Sequence, residues 1–257
     1  LPWDGADAFG ASVAVTTRLG GVSRPPYDTL NLGLHVGDRP EYVLANRERA
    51  ARSFGTQLDR LVFAHQVHGA TASRVGPAEA GRGANTQDDA LAETDVLVTD
   101  CPDVTLVILV ADCVPIALVD GEGGVLAAVH AGWRGTAAGA VGAAVRAMAD
   151  AGAQPERVRA FVGPAVAPSR YQVGDEVRNA LAAATRPSPL SPNVAQPDGS
   201  GRWRIDLVAA NRQQLEVAGL APEHIVESAI TTANPSLFSD RAARPCGRFG
   251  LLARLAA

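Results

Sequence analysis

Three runs of apolar, largely β-branched residues dominate the middle of the chain, at 95–99, 105–119 and 125–130. Runs with so little alternation are expected of strands buried on both faces. The stretch Asp120-Gly-Glu-Gly-Gly124 between the last two is rich in turn residues and predicts a hairpin. Shorter strand patterns fall at 12–17, 61–68, 157–163, 224–230 and 249–255. The period becomes helical at 41–54, 132–151, 175–184 and 207–217. Val43, Ala50 and Phe54 are the inward positions of the first helix. In the second, Ala137, Val141, Ala144, Val145 and Met148 share a face of mostly small residues, with Gly152 as the stop. Asp175 is the expected cap of the third. Residues 76–89 and 186–201 read as loops. Strands and helices mix without strict alternation. The prediction is an α/β (α+β) fold of mixed sheets covered by helices, a single domain over 1–257, and not a doubly wound parallel sheet.

Composition narrows the function. The chain has 257 residues, 47% hydrophobic and 19% charged, with a net charge of −4. All 23 basic residues are arginine, so Schiff-base and phosphate-loop lysine chemistry is excluded. Acids outnumber bases 27 to 23, which argues against a nucleic-acid scaffold and for a small-molecule partner. Three scattered cysteines without CxxC spacing fit a reducing, cytoplasmic setting. The longest apolar run is interrupted by Asp112 and falls short of the ~20 residues that cross a bilayer, so no membrane partner is expected. Oligomeric state is left open, and a monomer is consistent with the sequence.

Reactive side chains concentrate in three stretches: His65-Gln-Val-His68-Gly69, Ala111-Asp-Cys113-Val-Pro115 and Val129-His130-Ala-Gly-Trp-Arg134-Gly135. Two imidazoles and a thiolate make a zinc set, and three protein ligands leave a fourth position open, as catalytic sites do. If Asp120 pairs with Val125, Cys113 faces Gly132 and His130 lies on the same face. A one-residue slip would reverse this. Either His65 or His68 could be the third ligand on spacing, and a buried Cys or His serves structure as often as chemistry. Arg134 stands at a helix start with Thr136 as an available cap, an arrangement that suits a phosphate, or else an ion-paired surface arginine. Arg18, in a Gly-Gly turn, has the same two readings. Asp112 adjoins Cys113 and is a candidate general base if the strand is bulged there.

With these stretches, Thr17-Arg-Leu-Gly-Gly-Val-Ser23, Leu30-Asn-Leu-Gly-Leu-His-Val-Gly-Asp38, Gln66-Val-His-Gly69, Ala111-Asp-Cys-Val-Pro-Ile116, His130-Ala-Gly-Trp-Arg-Gly135 and Tyr171-Gln-Val-Gly174 give the chain its resemblance to the YfiH-like family. These are laccase-domain or multicopper polyphenol oxidoreductase proteins, also described as purine nucleoside phosphorylases and peptidoglycan editing factors. The resemblance implies a four-layer α/β/β/α sandwich and a zinc site at His68, Cys113 and His130, with copper as a possible substitute. It also implies phosphorolysis of adenosine, inosine, guanosine and methylthioadenosine, with deamination of adenosine alongside. The chain departs from the family at Ser169-Arg170 and Thr231-Thr232, where cysteines are common.

The expected enzyme is therefore a zinc-dependent purine nucleoside phosphorylase and adenosine deaminase. Its small-molecule partners would be a purine nucleoside and phosphate, the latter held by Arg18 or Arg134. The alternatives are a metal-independent hydrolase with Cys113 as nucleophile and His130 as base, acting on an amide such as a peptidoglycan precursor, and a copper polyphenol oxidase. Five histidines are too few for a laccase's full copper complement once one copper centre has taken two.

Overall fold

The computed structural model describes residues 1–185 and 188–256. Residues 186 and 187, the start of the expected loop 186–201, lie outside the described residues. The strands are β1 (Ala11–Val15), β2 (Leu61–Val62), β3 (Ala72–Arg74), β4 (Val96–Thr99), β5 (Thr105–Val110), β6 (Val114–Asp120), β7 (Val125–Ala131), β8 (Arg159–Val162), β9 (Gln172–Gly174), β10 (Ala195–Pro197), β11 (Arg202–Ile205), β12 (Ile225–Glu227) and β13 (Phe249–Leu255). The α-helices are α1 (Pro40–Phe54), α2 (Trp133–Ala138), α3 (Ala140–Asp150), α4 (Asp175–Ala184) and α5 (Leu207–Val217).

The strands form a four-stranded sheet ordered β1-β13-β5-β2, a six-stranded sheet ordered β12-β8-β6-β7-β4-β3 and a small sheet β10-β11-β9. Alternation along each central strand decides the layering. Leu106, Ile108 and Val110 of β5 share a core with Ala117 and Val119 of β6 and with Leu126 and Ala128 of β7, so the two large sheets pack face to face. The intervening Val107 and Leu109 pack instead with Ala50, Ala51 and Phe54 of α1. On the far side, Ile116, Leu118, Ala127 and Val129 meet Val141, Ala144, Val145 and Met148 of α3 and Leu215 of α5. The result is the expected α/β/β/α sandwich with mixed sheets. Both faces of β5, β6 and β7 are buried, which explains the unbroken apolar runs.

The structure departs from the sequence reading in several places. The run 105–119 is two strands in different sheets, because Asp112 adopts φ 89° and turns the chain from one layer to the other. The strand expected at 61–68 stops at Val62, and His68, at φ 63°, belongs to a loop. The helix expected at 132–151 is split by Gly139, whose φ of 80° ends α2 and begins α3. Thr136 is no cap: it lies inside α2, its N–H donating to Gly132 and its hydroxyl meeting Asn211. Gly174 caps α4, and Asp175 instead accepts from Trp203 Nε1 at 2.7 Å. The 186–201 loop contains β10.

A candidate metal centre and its cavity

The hairpin register is the one derived from the sequence: Asp120 pairs with Val125 and Pro115 with His130. That register carries Cys113, just before β6, alongside Gly132, just after β7. A Cβ built on Gly132 would stand 2.7 Å from Cys113 Sγ and 3.0 Å from His68 Cδ2, so only glycine leaves room for the two side chains to meet. His68 arrives on its own loop through Gln66. The Gln66 amide donates to the Leu109 carbonyl and accepts from its N–H, both at 2.8 Å, and so extends the edge of β5 as a strand would. His68, Cys113 and His130 thus offer ligand atoms that all lie within 4.8 Å of one another. The His68 and His130 rings stand edge-on with centroids 4.7 Å apart. His65 faces the same cavity without joining the group.

Asp95, fully buried at the start of β4, organises the cluster. One oxygen accepts from His130 Nδ1 at 2.8 Å and from the His68 N–H at 3.0 Å; the other accepts from the N–H groups of Val67 and Gly69. Burial opposes its charge, but these donors, His130 foremost, hold its pKa below the usual carboxylate range. With Nδ1 committed to Asp95, His130 presents Nε2 to the cluster, the carboxylate–histidine pairing typical of metal-binding imidazoles. Burial pushes the Cys113 thiol up, yet the charge and hydrogen bond of His130, with His68 adding to them, bring it down to about 6. Burial pulls His130 down, but the Cys113 thiolate and the Asp95 hydrogen bond raise it to about 9. A thiolate, a fixed imidazole tautomer and a second imidazole around a common point fit a metal ion with three protein ligands. Among the described residues this is the one group of three or more such side chains close enough to hold a metal.

The chain is similar to several known proteins. The family description multi-copper polyphenol oxidoreductase laccase matches residues 12–256. The chain belongs to that family. A Mycobacterium tuberculosis relative named purine nucleoside phosphorylase Rv2149c is 40% identical over 242 residues, which is 92% of this chain and 89% of the relative. The crystal structure of YfiH from Bacillus licheniformis superposes with a TM-score of 0.92 at 34% identity, covering 98% of this chain and 94% of that one. That of YlmD from Geobacillus stearothermophilus gives 0.92 at 37%, covering 96% and 93%.

In this laccase-family chain the cluster opens into a cavity of about 820 Å³. Arg134 lines it, its guanidinium over the Trp133 ring at 4.4 Å. Asp112 lines it too, but its carboxylate is already engaged: Oδ1 accepts from Thr232 Oγ1 at 2.5 Å and Ser239 Oγ at 2.7 Å, and Oδ2 from the Arg241 N–H at 2.6 Å. The candidate general base is thus an anchor for the 231–241 loop, and Thr232, in a pair where the family often has Cys-Thr, is one of its partners. Arg18 lies outside the cavity lining. It bonds the Asp28 carbonyl and carboxylate at 2.8 and 3.0 Å and sits over Phe238 at 4.8 Å. Sequence reasoning missed Asp95, whose place beside His130 in the β4–β7 pairing could have revealed it. It also missed Arg241, Arg244 and Arg248, which lie in a stretch without periodicity.

Proposed function

We propose that the chain is a zinc-dependent purine nucleoside phosphorylase that also deaminates adenosine. The observation that carries this reading is the convergence of His68, Cys113 and His130, oriented by Asp95, in the lining of a cavity large enough for a nucleoside. The names of the relatives supply the reaction class. Zinc held by these three residues with a fourth position open would supply Lewis acidity for polarising a substrate oxygen or activating water. In phosphorolysis an oxygen of phosphate bonds to ribose C1′ as the bond from C1′ to the purine nitrogen breaks. The electron pair leaves with the purine, which takes up a proton. The chain's part is to hold the reactants in line and to place positive charge by the anion: Asp95 fixes the His130 ring, and Arg134 faces the cavity without a carboxylate partner among the described residues.

The test is incubation of zinc-loaded protein with inosine, with and without orthophosphate, and with adenosine, followed by chromatography. Hypoxanthine released only with phosphate, inosine formed from adenosine, and loss of both in His68→Ala are the expected results. No phosphate-dependent release by the metal-loaded protein would overturn the reading. One observation favours a second reading: without metal, Cys113 and His130 form a thiolate–imidazolium pair suited to attack on an amide, such as that of a peptidoglycan precursor. Amide cleavage that survives chelation and disappears on alkylation of Cys113 would select it.

A further inference from the structure

Four arginines line the cavity, and they are not equivalent. Arg244 is paired with one oxygen of Asp240 at 2.5 Å, and Arg248 lies 3.6 Å from the other. Arg134 and Arg241 have no carboxylate partner for their guanidinium groups among the described residues. Arg241, although exposed, is nevertheless held in one orientation. Its Nε donates to the Arg170 carbonyl at 3.1 Å, a terminal nitrogen donates to the Gln172 carbonyl at 2.6 Å, and the group lies over the Tyr171 ring at 5.5 Å. Carbonyl oxygens fix a guanidinium's orientation without cancelling its charge. Of the cavity's carboxylates, Asp112 is held by three neutral donors away from either guanidinium, Asp240 is shared by Arg244 and Arg248, and Glu176 stands on α4. Arg241 stacks over Tyr171, and both line the same cavity as Arg134 and the His68, Cys113 and His130 side chains.

We infer that Arg241 and Arg134 clamp a phosphate dianion beside the His68–Cys113–His130 cluster, with Arg241 as the pre-positioned member. The planar guanidinium fork matches phosphate oxygens, and a fork already oriented by carbonyls loses little freedom when the anion arrives. The inference rests on the phosphorylase reading for the anion's identity. Its source is either free orthophosphate or the phosphate of a nucleotide. Calorimetric titration of the metal-loaded protein with orthophosphate alone, and in a second arm with inosine 5′-monophosphate, separates the two. Arg241→Met and Arg134→Met are each expected to weaken binding of the recognised ligand about tenfold or more, whereas Arg244→Met changes it less than about twofold. Arg241→Lys, which keeps the charge and loses the carbonyl pinning, recovers part of the affinity and so separates anion recognition from damage to the fold. Unchanged binding in both Met variants, or no binding of either ligand to the unaltered protein, overturns the clamp. Arg241-dependent phosphate binding without purine release keeps the clamp and removes the phosphorylase reading. Purine release with the same phosphate KM in Arg241→Met does the reverse.

Discussion

The cluster corner and the arginine wall line one cavity and are held by opposite means. In the corner, His130 belongs to β7, which is hydrogen-bonded to β4 on one side and β6 on the other, and Asp95 gathers the His68 loop by its backbone N–H groups. The wall, residues 231–248, contains no strand, and is tied down by isolated contacts: the Asp112 carboxylate, the bonds of Arg241 to two carbonyls, and single backbone bonds such as those of Thr232 to Ala165 and of Arg18 to Ser236. Ladders place groups to within a fraction of an ångström whatever one side chain does; a wall held by isolated contacts shifts locally when one of them is lost. The first suits metal ligands, and the second suits the enclosure of a substrate.

The largest expected effect is on the corner itself. Cys113→Ser or His68→Ala should cost more than the about 10–100-fold in metal affinity that follows loss of an outer partner. Elemental analysis after dialysis checks it, and full metal retention would break the contrast. Next, in metal-free protein, a thiol at about 6 gives Cys113 roughly thirtyfold more thiolate at pH 7 than an ordinary thiol. Its alkylation should therefore stay fast at neutral pH and fall away as pH drops through about 6. Cys246, pushed up by burial, should stay slow until well into the alkaline range. Asp95→Asn should then cost about 10–100-fold in zinc affinity in a competition with a chelator, since His130 loses its carboxylate partner. Asp112→Ala should destabilise the protein by about 1–3 kcal/mol in urea titrations, through three donors left without an acceptor, and weaken phosphate binding with zinc content unchanged. That split would sharpen the contrast most. The smallest effect is expected from Arg18→Ala: less than about 1 kcal/mol, with phosphate KM unaltered, because its partly exposed pair with Asp28 lies outside the cavity.

Much of the corner was legible in the chain because β-pairing is periodic. Once Asp120 is set opposite Val125, the positions of Cys113 and His130 follow by counting, and the structure keeps that register. What could not be counted was the crossing at Asp112: an acid in an apolar run reads as an interruption, and nothing local says that its backbone turns left-handed to change layers. The choice of His68 over His65 depended on the family resemblance, since the Gln66 amide pairing that aims the loop joins residues 43 positions apart. The arginine wall was invisible for the same reason. Arg241 is placed by carbonyls of Arg170 and Gln172, contacts that no periodicity encodes.

The position of β13 sets an order of events in biosynthesis. The centre of the six-stranded sheet, β8-β6-β7-β4, is complete as soon as residue 162 has left the ribosome, whereas β13 lies between β1 and β5 and emerges last of the described strands. Until then β1 has no neighbour in its sheet, and β5 offers an open edge beside a largely assembled cluster corner. β13 is thus a latch on β1, and without it the sheet would stay unclosed and aggregation-prone.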